Sequence, residues 1–241
     1  MNRVITAPNV EPRYSALEVN VGRGSSSGLE AFYSVVEDEV ARFRGVRLVK
    51  RIEEESVTLT HYHAILITLF HQTYSAPFTF AQSAVNCSWK HEAAKDYLLH
   101  HAEEERTHWR WVLDDLAATG YSGPDIRRLP PHATCQAFIG LHYYFSKERP
   151  IARLGAAAVL EGIGATHGGT YGQQLIQQLS LRPHQASFFL SHAETDKTHI
   201  VELRKAIAAC ELDDDDWLWM EHAARTCGHY YRAMYDHEAF A

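Results

Sequence analysis

Apolar residues recur along most of the chain at intervals of three and four, the spacing that buries one face of an α-helix. No segment shows the regular alternation of a half-buried β-strand. Together with the glycines and prolines between them, these stretches predict an all-α, single-domain, seven-helix bundle. The expected helices cover residues 29–55, 58–86, 88–119, 133–147, 151–179, 183–210 and 213–235.

The ends and interruptions of these helices follow from glycine and proline. Residues 1–28 contain two prolines and a run rich in glycine and serine, which predicts a flexible N-terminal arm ahead of a helical domain over residues 29–241. Within the domain, we expect Gly45 to break the first helix and Pro77 to bend the second. Gly120 is placed to end the third helix as a C-terminal cap.

The sixth predicted helix carries polar residues on its apolar face. His192, Asp196 and His199 lie at positions i, i+4 and i+7, so they share one face, which Phe189 and Leu203 extend. Two imidazoles and a carboxylate are costly to bury unless they are paired or bound to a cation. This combination suits divalent iron, manganese or zinc, and it predicts a metal site inside the bundle.

The same pattern occurs in the third predicted helix, where His101, Glu105 and His108 repeat the i, i+4, i+7 spacing on a face that includes Leu98 and Val112. One such pattern could be a hydrogen-bonded core network, or chance in a chain with 16 histidines. Two patterns on separate long helices favour metal ligands, because polar groups are rarely placed on core-facing positions without partners.

Glu161 is the third candidate, since it lies on the apolar face of the fifth helix among small residues. A lone buried glutamate would be destabilising, whereas one that binds a metal is satisfied. Four nearby glycines would each weaken the helix by about 1 kcal/mol relative to alanine, which predicts close approach of a substrate or a neighbouring helix. These glycines are Gly162, Gly164, Gly168 and Gly169.

Two further residues are alternatives for a role at the site. His71 lies on the apolar face of the second helix and could contact a metal or the substrate. Glu104 competes with Glu105 as the carboxylate of the third helix, because helical spacing lets either one neighbour a histidine. We favour Glu105, which matches the position of Asp196 in the second pattern.

Composition narrows the classes of partner. The chain has 241 residues, 46% of them hydrophobic, which is enough for one large core. Its net charge of −7 argues against a nucleic acid or an anionic membrane as the partner and favours a small molecule. No apolar run is long enough to cross a membrane and no export leader is recognisable, so we expect a cytoplasmic protein. Four widely spaced cysteines predict reduced thiols.

The ordered set Glu105-xx-His108, Glu161 and His192-xxx-Asp196-xx-His199 resembles the heme-oxygenase-like diiron oxidases and oxygenases. The resemblance implies a heme-oxygenase-like bundle that binds two Fe(2+) ions per chain, one of them labile. It implies catalytic roles for Glu105, His108, Glu161, Asp196 and His199. It also implies metal binding by these five residues and by His192, to which the spacing adds His101. Some members have a glutamate where His101 or His71 stands here.

The resemblance further implies O2-dependent oxidation of a small metabolite. We expect a free amino acid, with a bulky or aromatic side chain, to undergo carbon–carbon cleavage, N-oxidation, or nitrile or alkene formation in specialised metabolism. An external electron donor and a homodimer are part of the same expectation. The alternatives are a metal-free thiaminase-like or quinone-forming relative, a heme-degrading enzyme, and a non-enzymatic iron-binding protein.

Overall fold

The computed structural model describes residues 25–240, and every regular element in that range is helical. This confirms the all-α prediction. The α-helices are α1 (Ser25–Arg42), α2 (Arg47–Glu53), α3 (Leu59–Asn86), α4 (Glu92–Glu105), α5 (Trp109–Ala118), α6 (Ala133–Glu148), α7 (Ala152–Ile163), α8 (Gly169–Gln178), α9 (Ser187–Ala208) and α10 (Asp214–Tyr235).

Over the described range, the seven predicted helices correspond to ten α-helical segments because three of them are interrupted. A 3-10 turn over Phe43–Gly45 separates α1 from α2, as Gly45 predicted. The third predicted helix ends at Glu105 and resumes at Trp109 as α5. The fifth contains a π-helical turn, Gly164–Gly168, between α7 and α8.

Several helix ends agree with the sequence. The Thr58 side chain accepts a hydrogen bond from the backbone at the start of α3, and Gly120 follows α5 with a positive φ of 75°. Residues 25–28 are part of helix α1, and the boundary between the predicted arm and the helical domain stays a prediction. The rest of the predicted arm lies outside the described residues.

The most buried element is α7, which packs against α1, α6, α9 and α10. Eleven of its twelve residues are buried, including Arg153 and Glu161. A helix that is enclosed on all sides belongs at the centre of a bundle. Side chains on α7 therefore face several neighbouring helices at once, and this arrangement brings Glu161 to the polar faces of α4 and α9.

The described residues form neither a membrane-spanning helix nor a disulfide bond. Between residues 25 and 240, no helix combines the length and hydropathy needed to span a lipid bilayer. All four cysteines, Cys87, Cys135, Cys210 and Cys227, are free thiols, as their spacing predicted.

Candidate metal centre

The first histidine pattern lies across the break between α4 and α5. His101 and Glu105 occupy the last turns of α4, whereas His108 lies in the turn between the two helices. Backbone hydrogen bonds in this turn join residues three apart, for example from His108 N to Glu105 O. The prediction that all three residues lie on one continuous helix is therefore wrong. The tighter turn still directs His108 inward, with its Nδ1 atom 2.9 Å from Glu105 Oε1.

The second pattern lies on a single uninterrupted helix, as predicted. His192, Asp196 and His199 occupy the middle of α9. Asp115 of α5 fixes the start of this helix, because its carboxylate accepts hydrogen bonds from the backbone N–H groups of Ser187 and Phe188 at 2.8 and 2.9 Å. A buried carboxylate at a helix N-terminus satisfies otherwise unpaired N–H groups and favours the helix dipole.

The π-helical turn brings α7 and α9 together. A Cβ atom placed on Gly164 would overlap the Asp196 carboxylate, so any larger residue here would displace that carboxylate. The predicted reason for the glycine cluster, close approach of a neighbouring helix, is therefore confirmed here. Single π-turns within helices are often found at functional sites, where they redirect the chain locally.

The candidate ligands converge in the core. Glu161 of α7 lies 3.1 Å from His101 and 3.1 Å from His199, which joins α4, α7 and α9. Glu105 lies 3.8 Å from His192 Nε2 and 4.0 Å from His199 Nδ1. Within the core, three groups of residues each offer ligand atoms within 4.8 Å of one another, apart from a more exposed group of His100, Glu104 and Glu202. The three core groups are His101, Glu105 and His199; Glu105, His108 and His192; and Glu161, Asp196 and His199.

Many polar atoms of this cluster are buried without a hydrogen-bond partner, although other polar atoms lie close to them. The unpartnered atoms are His101 Nε2, Glu104 Oε2, Glu105 Oε1, His108 Nδ1, His192 Nε2, Asp196 Oδ1 and His199 Nε2. Unpaired buried polar atoms are uncommon in folded proteins. Several of these atoms lie close to another ligand atom of the cluster, as His108 Nδ1 does to Glu105 Oε1 at 2.9 Å, and a shared cation would pair them, so the residues present fit a metal.

The pKa values in the cluster indicate that positive charge stabilises its buried carboxylates. Burial raises carboxyl pKa values, but the His108 and His192 imidazoles outweigh it and hold the pKa of Glu105 well below its usual range. His101 and His199 similarly lower the pKa of Glu161 to about 2. In return, Glu161 outweighs the effect of burial on His199 and raises the pKa of that imidazole to about 9. A divalent cation would supply this positive charge in place of protons.

Aromatic rings orient the histidines from outside the cluster. Tyr97 stacks on His101, and its hydroxyl lies 3.4 Å from His101 Nδ1, the ring nitrogen remote from Glu161. Trp111 stacks on His108 with ring centroids 4.4 Å apart, and Phe188 stacks on His192 at 4.7 Å. Such contacts fix the tautomer or the ring plane of an imidazole ligand, which is a large part of how proteins tune metal sites.

The two alternative carboxylates of α4 differ in burial and in their contacts with the cluster. Glu105 is 4% exposed and contributes to two of the three groups. The Glu104 side chain is 36% exposed and reaches the cluster only through His199, at 3.3 Å. His71 contributes to none of the groups that enclose the centre and does not line the cavity beside it, within the part of the chain that is described.

A cavity adjoins the cluster, with Glu105, Glu161, His192 and Asp196 in its wall. Most of its other lining is apolar and comes from α2, α3, α6, α7 and α8. Arg153 and His142 are among the polar residues of this wall that were not predicted from the sequence as site residues. The signal for Arg153 is present in the sequence, since it and Glu161 are the two charged residues in the otherwise apolar segment 151–163.

The fold and the convergent ligands define a helical bundle with a candidate metal centre in its core. The family model described as "Iron-containing redox enzyme" matches residues 66–231. The chain belongs to this family, since the match covers most of its length. No curated protein matches the sequence.

Solved structures share the fold at low sequence identity. A domain of unknown function with a heme oxygenase-like fold from Shewanella denitrificans is 18% identical, with a TM-score of 0.73 over 86% of this chain and 90% of that chain. A TenA homolog from Pseudomonas syringae is 14% identical, with a TM-score of 0.67 over 90% and 96%. Heme oxygenase-1 from Synechocystis, solved with heme, is 14% identical, with a TM-score of 0.67 over 87% and 90%. The heme-oxygenase-like fold is thereby confirmed.

Proposed function

We propose that the protein is a non-heme diiron oxidase or oxygenase that uses O2 to oxidise a small metabolite, a free amino acid with a bulky apolar side chain. The observation that carries the proposal is the convergence of His101, Glu105, His108, Glu161, His192, Asp196 and His199 around unpartnered ligand atoms. Membership of an iron-containing redox family supports iron over zinc or manganese.

The arrangement offers ligands for two ions rather than one. Glu105 belongs to two of the groups and would bridge the ions. Glu161, Asp196 and His199, with His101 beside them, would hold one ion, while His108 and His192 would hold the other together with Glu105. When bound, a ferrous pair with carboxylate and imidazole ligands supplies the electrons that reduce O2. Asp196 is the carboxylate least compensated by neighbouring charge, since burial raises its pKa to about 6.

The residues of the chain would bind and orient the substrate and exclude water. The cavity wall beside Glu161 and Asp196 includes Phe80, Phe138 and Phe188, which suit an apolar side chain. Burial of the reacting group against this wall keeps bulk water from competing at the site. His192 is the most exposed of the proposed ligands, with 19% of its side chain accessible. Small molecules would therefore reach the metal centre most directly from the side of His192.

Two alternatives have less support. A thiaminase-like reaction needs a nucleophilic thiolate, but burial raises the thiol pKa of Cys87, Cys135 and Cys227 to about 12 and also raises that of Cys210. A heme pocket would place an apolar macrocycle against the buried carboxylates of Glu161 and Asp196. Burial of these carboxylates costs free energy, which the proposed iron centre would offset.

The test is O2 consumption by the ferrous-loaded protein with each of the twenty common amino acids. We expect one or a few amino acids with large apolar side chains to accelerate O2 uptake and to give a product of changed mass. A matched control is the His199→Ala variant, which should lose the acceleration while remaining folded by circular dichroism. If no amino acid accelerates O2 uptake in the iron-loaded protein, the proposed substrate class is wrong.

A further inference from the structure

Arg153 is an unusual group for the centre of a helical bundle. It lies on the central helix α7, is 1% exposed, and lines the cavity beside the candidate metal centre. Its Nε and Nη1 atoms have no hydrogen-bond partner in the described part of the chain. Burial of a guanidinium without a paired anion costs several kcal/mol, so such a group needs a reason. An anion that is bound during function would supply one.

The charged groups nearby do not satisfy this cation directly. Burial lowers the pKa of Arg153 to about 10, while Glu161 and Glu105 oppose that effect through space and not through a hydrogen bond. The guanidinium therefore stays positive at neutral pH. Among residues 25–240, the close contact that compensates its charge is the face of Phe80, with Cζ 3.7 Å from the ring centroid. A cation–π contact leaves the N–H groups at the edge of the guanidinium free to bind an anion.

The position of Arg153 relates the cation to the metal centre. Phe80, which stacks on Arg153, also contacts the ring of His101 with centroids 4.4 Å apart. One aromatic ring thus separates the guanidinium from a candidate ligand. Along α7, Arg153 precedes Glu161 by eight residues, about two turns or about 12 Å on the same face. An anion at Arg153 would lie beside the metal centre without being one of its ligands.

His142 is a second unpartnered polar group in the wall of the same cavity. It is 5% exposed, and neither of its ring nitrogens has a hydrogen-bond partner among residues 25–240. Burial, reinforced by Arg153, holds the pKa of His142 well below its usual range, so the ring is neutral and can both donate and accept a hydrogen bond. A cation and a neutral hydrogen-bond donor, in a cavity wall that also contains many apolar side chains, match the head group of an amphiphilic anion.

We propose that Arg153, assisted by His142, forms a carboxylate-binding subsite that holds the acid group of an apolar substrate beside the metal centre. Arginine suits this role because its planar fork can donate two parallel hydrogen bonds to one carboxylate. Phe80 and Phe138 would flank the adjoining part of the substrate. The subsite deepens the proposed function and rests on it for the substrate class, an apolar amino acid. A fatty acid carries the same carboxylate, and the test below separates the two sources.

The test is calorimetric binding without turnover, using the full chain loaded with ferrous iron under anaerobic conditions and, separately, the metal-free full chain. The probes are two pairs of molecules, L-tryptophan with L-tryptophanamide and octanoate with octanamide. We expect at least one acid to bind wild-type protein about tenfold or more tightly than its amide. The pair that shows this preference identifies the source of the carboxylate.

Variants assign the preference to Arg153. Arg153→Met keeps the apolar stem and should abolish the preference for the acid, while Arg153→Lys should retain only part of it. The matched control is Arg204→Met, which removes an exposed arginine that also stacks on an aromatic ring, Tyr33, and should change nothing. If Arg153→Met fails to fold, the wild-type comparison of acid with amide and the Arg153→Lys variant decide the question.

The inference is overturned if acids and amides bind equally, if neither binds, or if a folded Arg153→Met protein keeps the preference for the acid. It is also overturned if the acid binds only when iron is present and Arg153→Met leaves that binding intact, because the carboxylate would then be held by the metal. None of these results alters iron stoichiometry or O2 consumption. Failure of the subsite is therefore distinguishable from failure of the proposed diiron function.

Discussion

At the scale of single residues, the proposed diiron centre depends on which carboxylate of α4 faces it. Glu105 is buried and approaches His108, His192 and His199, whereas Glu104 lies at the edge, between His199 of the cluster and the exposed His100. A shared carboxylate stabilises two ions at once, so its loss should cost more than the loss of a peripheral one.

This difference gives a matched pair of variants that both exchange a carboxylate for an amide. We expect Glu105→Gln to weaken ferrous binding by about 100-fold or more and to abolish substrate-dependent O2 uptake, since removal of outer partners alone costs about 10- to 100-fold. Glu104→Gln should change ferrous affinity by less than about tenfold. Anaerobic titration of both variants measures the two affinities. A larger loss in Glu104→Gln than in Glu105→Gln would reverse the assignment of the bridging ligand.

At the scale of elements, the π-helical turn Gly164–Gly168 determines how closely α7 can approach α9. The hydrogen of Gly164 leaves room for the Asp196 carboxylate, and a methyl group would displace it. We therefore expect Gly164→Ala to reduce the number of irons bound per chain and to destabilise the metal-free protein by about 1–3 kcal/mol through overpacking.

The matched control is Gly140→Ala in α6, where an added Cβ meets nothing within 4 Å. This substitution should leave iron binding intact and stabilise the chain by about 0.5–1 kcal/mol, because alanine favours the helix. Thermal unfolding and iron analysis of the two variants check both parts. Normal iron content in folded Gly164→Ala would contradict the role given to the glycine.

The elements also show what sequence reasoning can and cannot predict here. Helical periodicity placed His192, Asp196 and His199 on one face because α9 is regular over its whole length. It could not predict the break after Glu105, since the segment 105–109 contains neither glycine nor proline to mark the turn. It also missed the place of Arg153 in the cavity wall, although an arginine within the otherwise apolar segment 151–163 is a signal for such a role.

At the scale of the whole molecule, the bundle encloses three carboxylates and four imidazoles that it would not gather for stability alone. Burial of charged groups is costly, and the raised pKa values of His192 and His199 show that the metal-free chain compensates with protons. A pair of divalent ions would supply that charge and pair the unpartnered ligand atoms. The central claim of the account is therefore that the core binds two irons.

The most direct measurement is anaerobic titration of the metal-free full chain with ferrous iron, with the bound iron counted per chain and its spin and valence state read by Mössbauer spectroscopy. The account predicts close to two ferrous ions per chain, and a spectrum that changes when O2 is admitted together with a substrate. Saturation at a single iron would contradict the diiron centre. No uptake at all would contradict the ligand assignment as a whole.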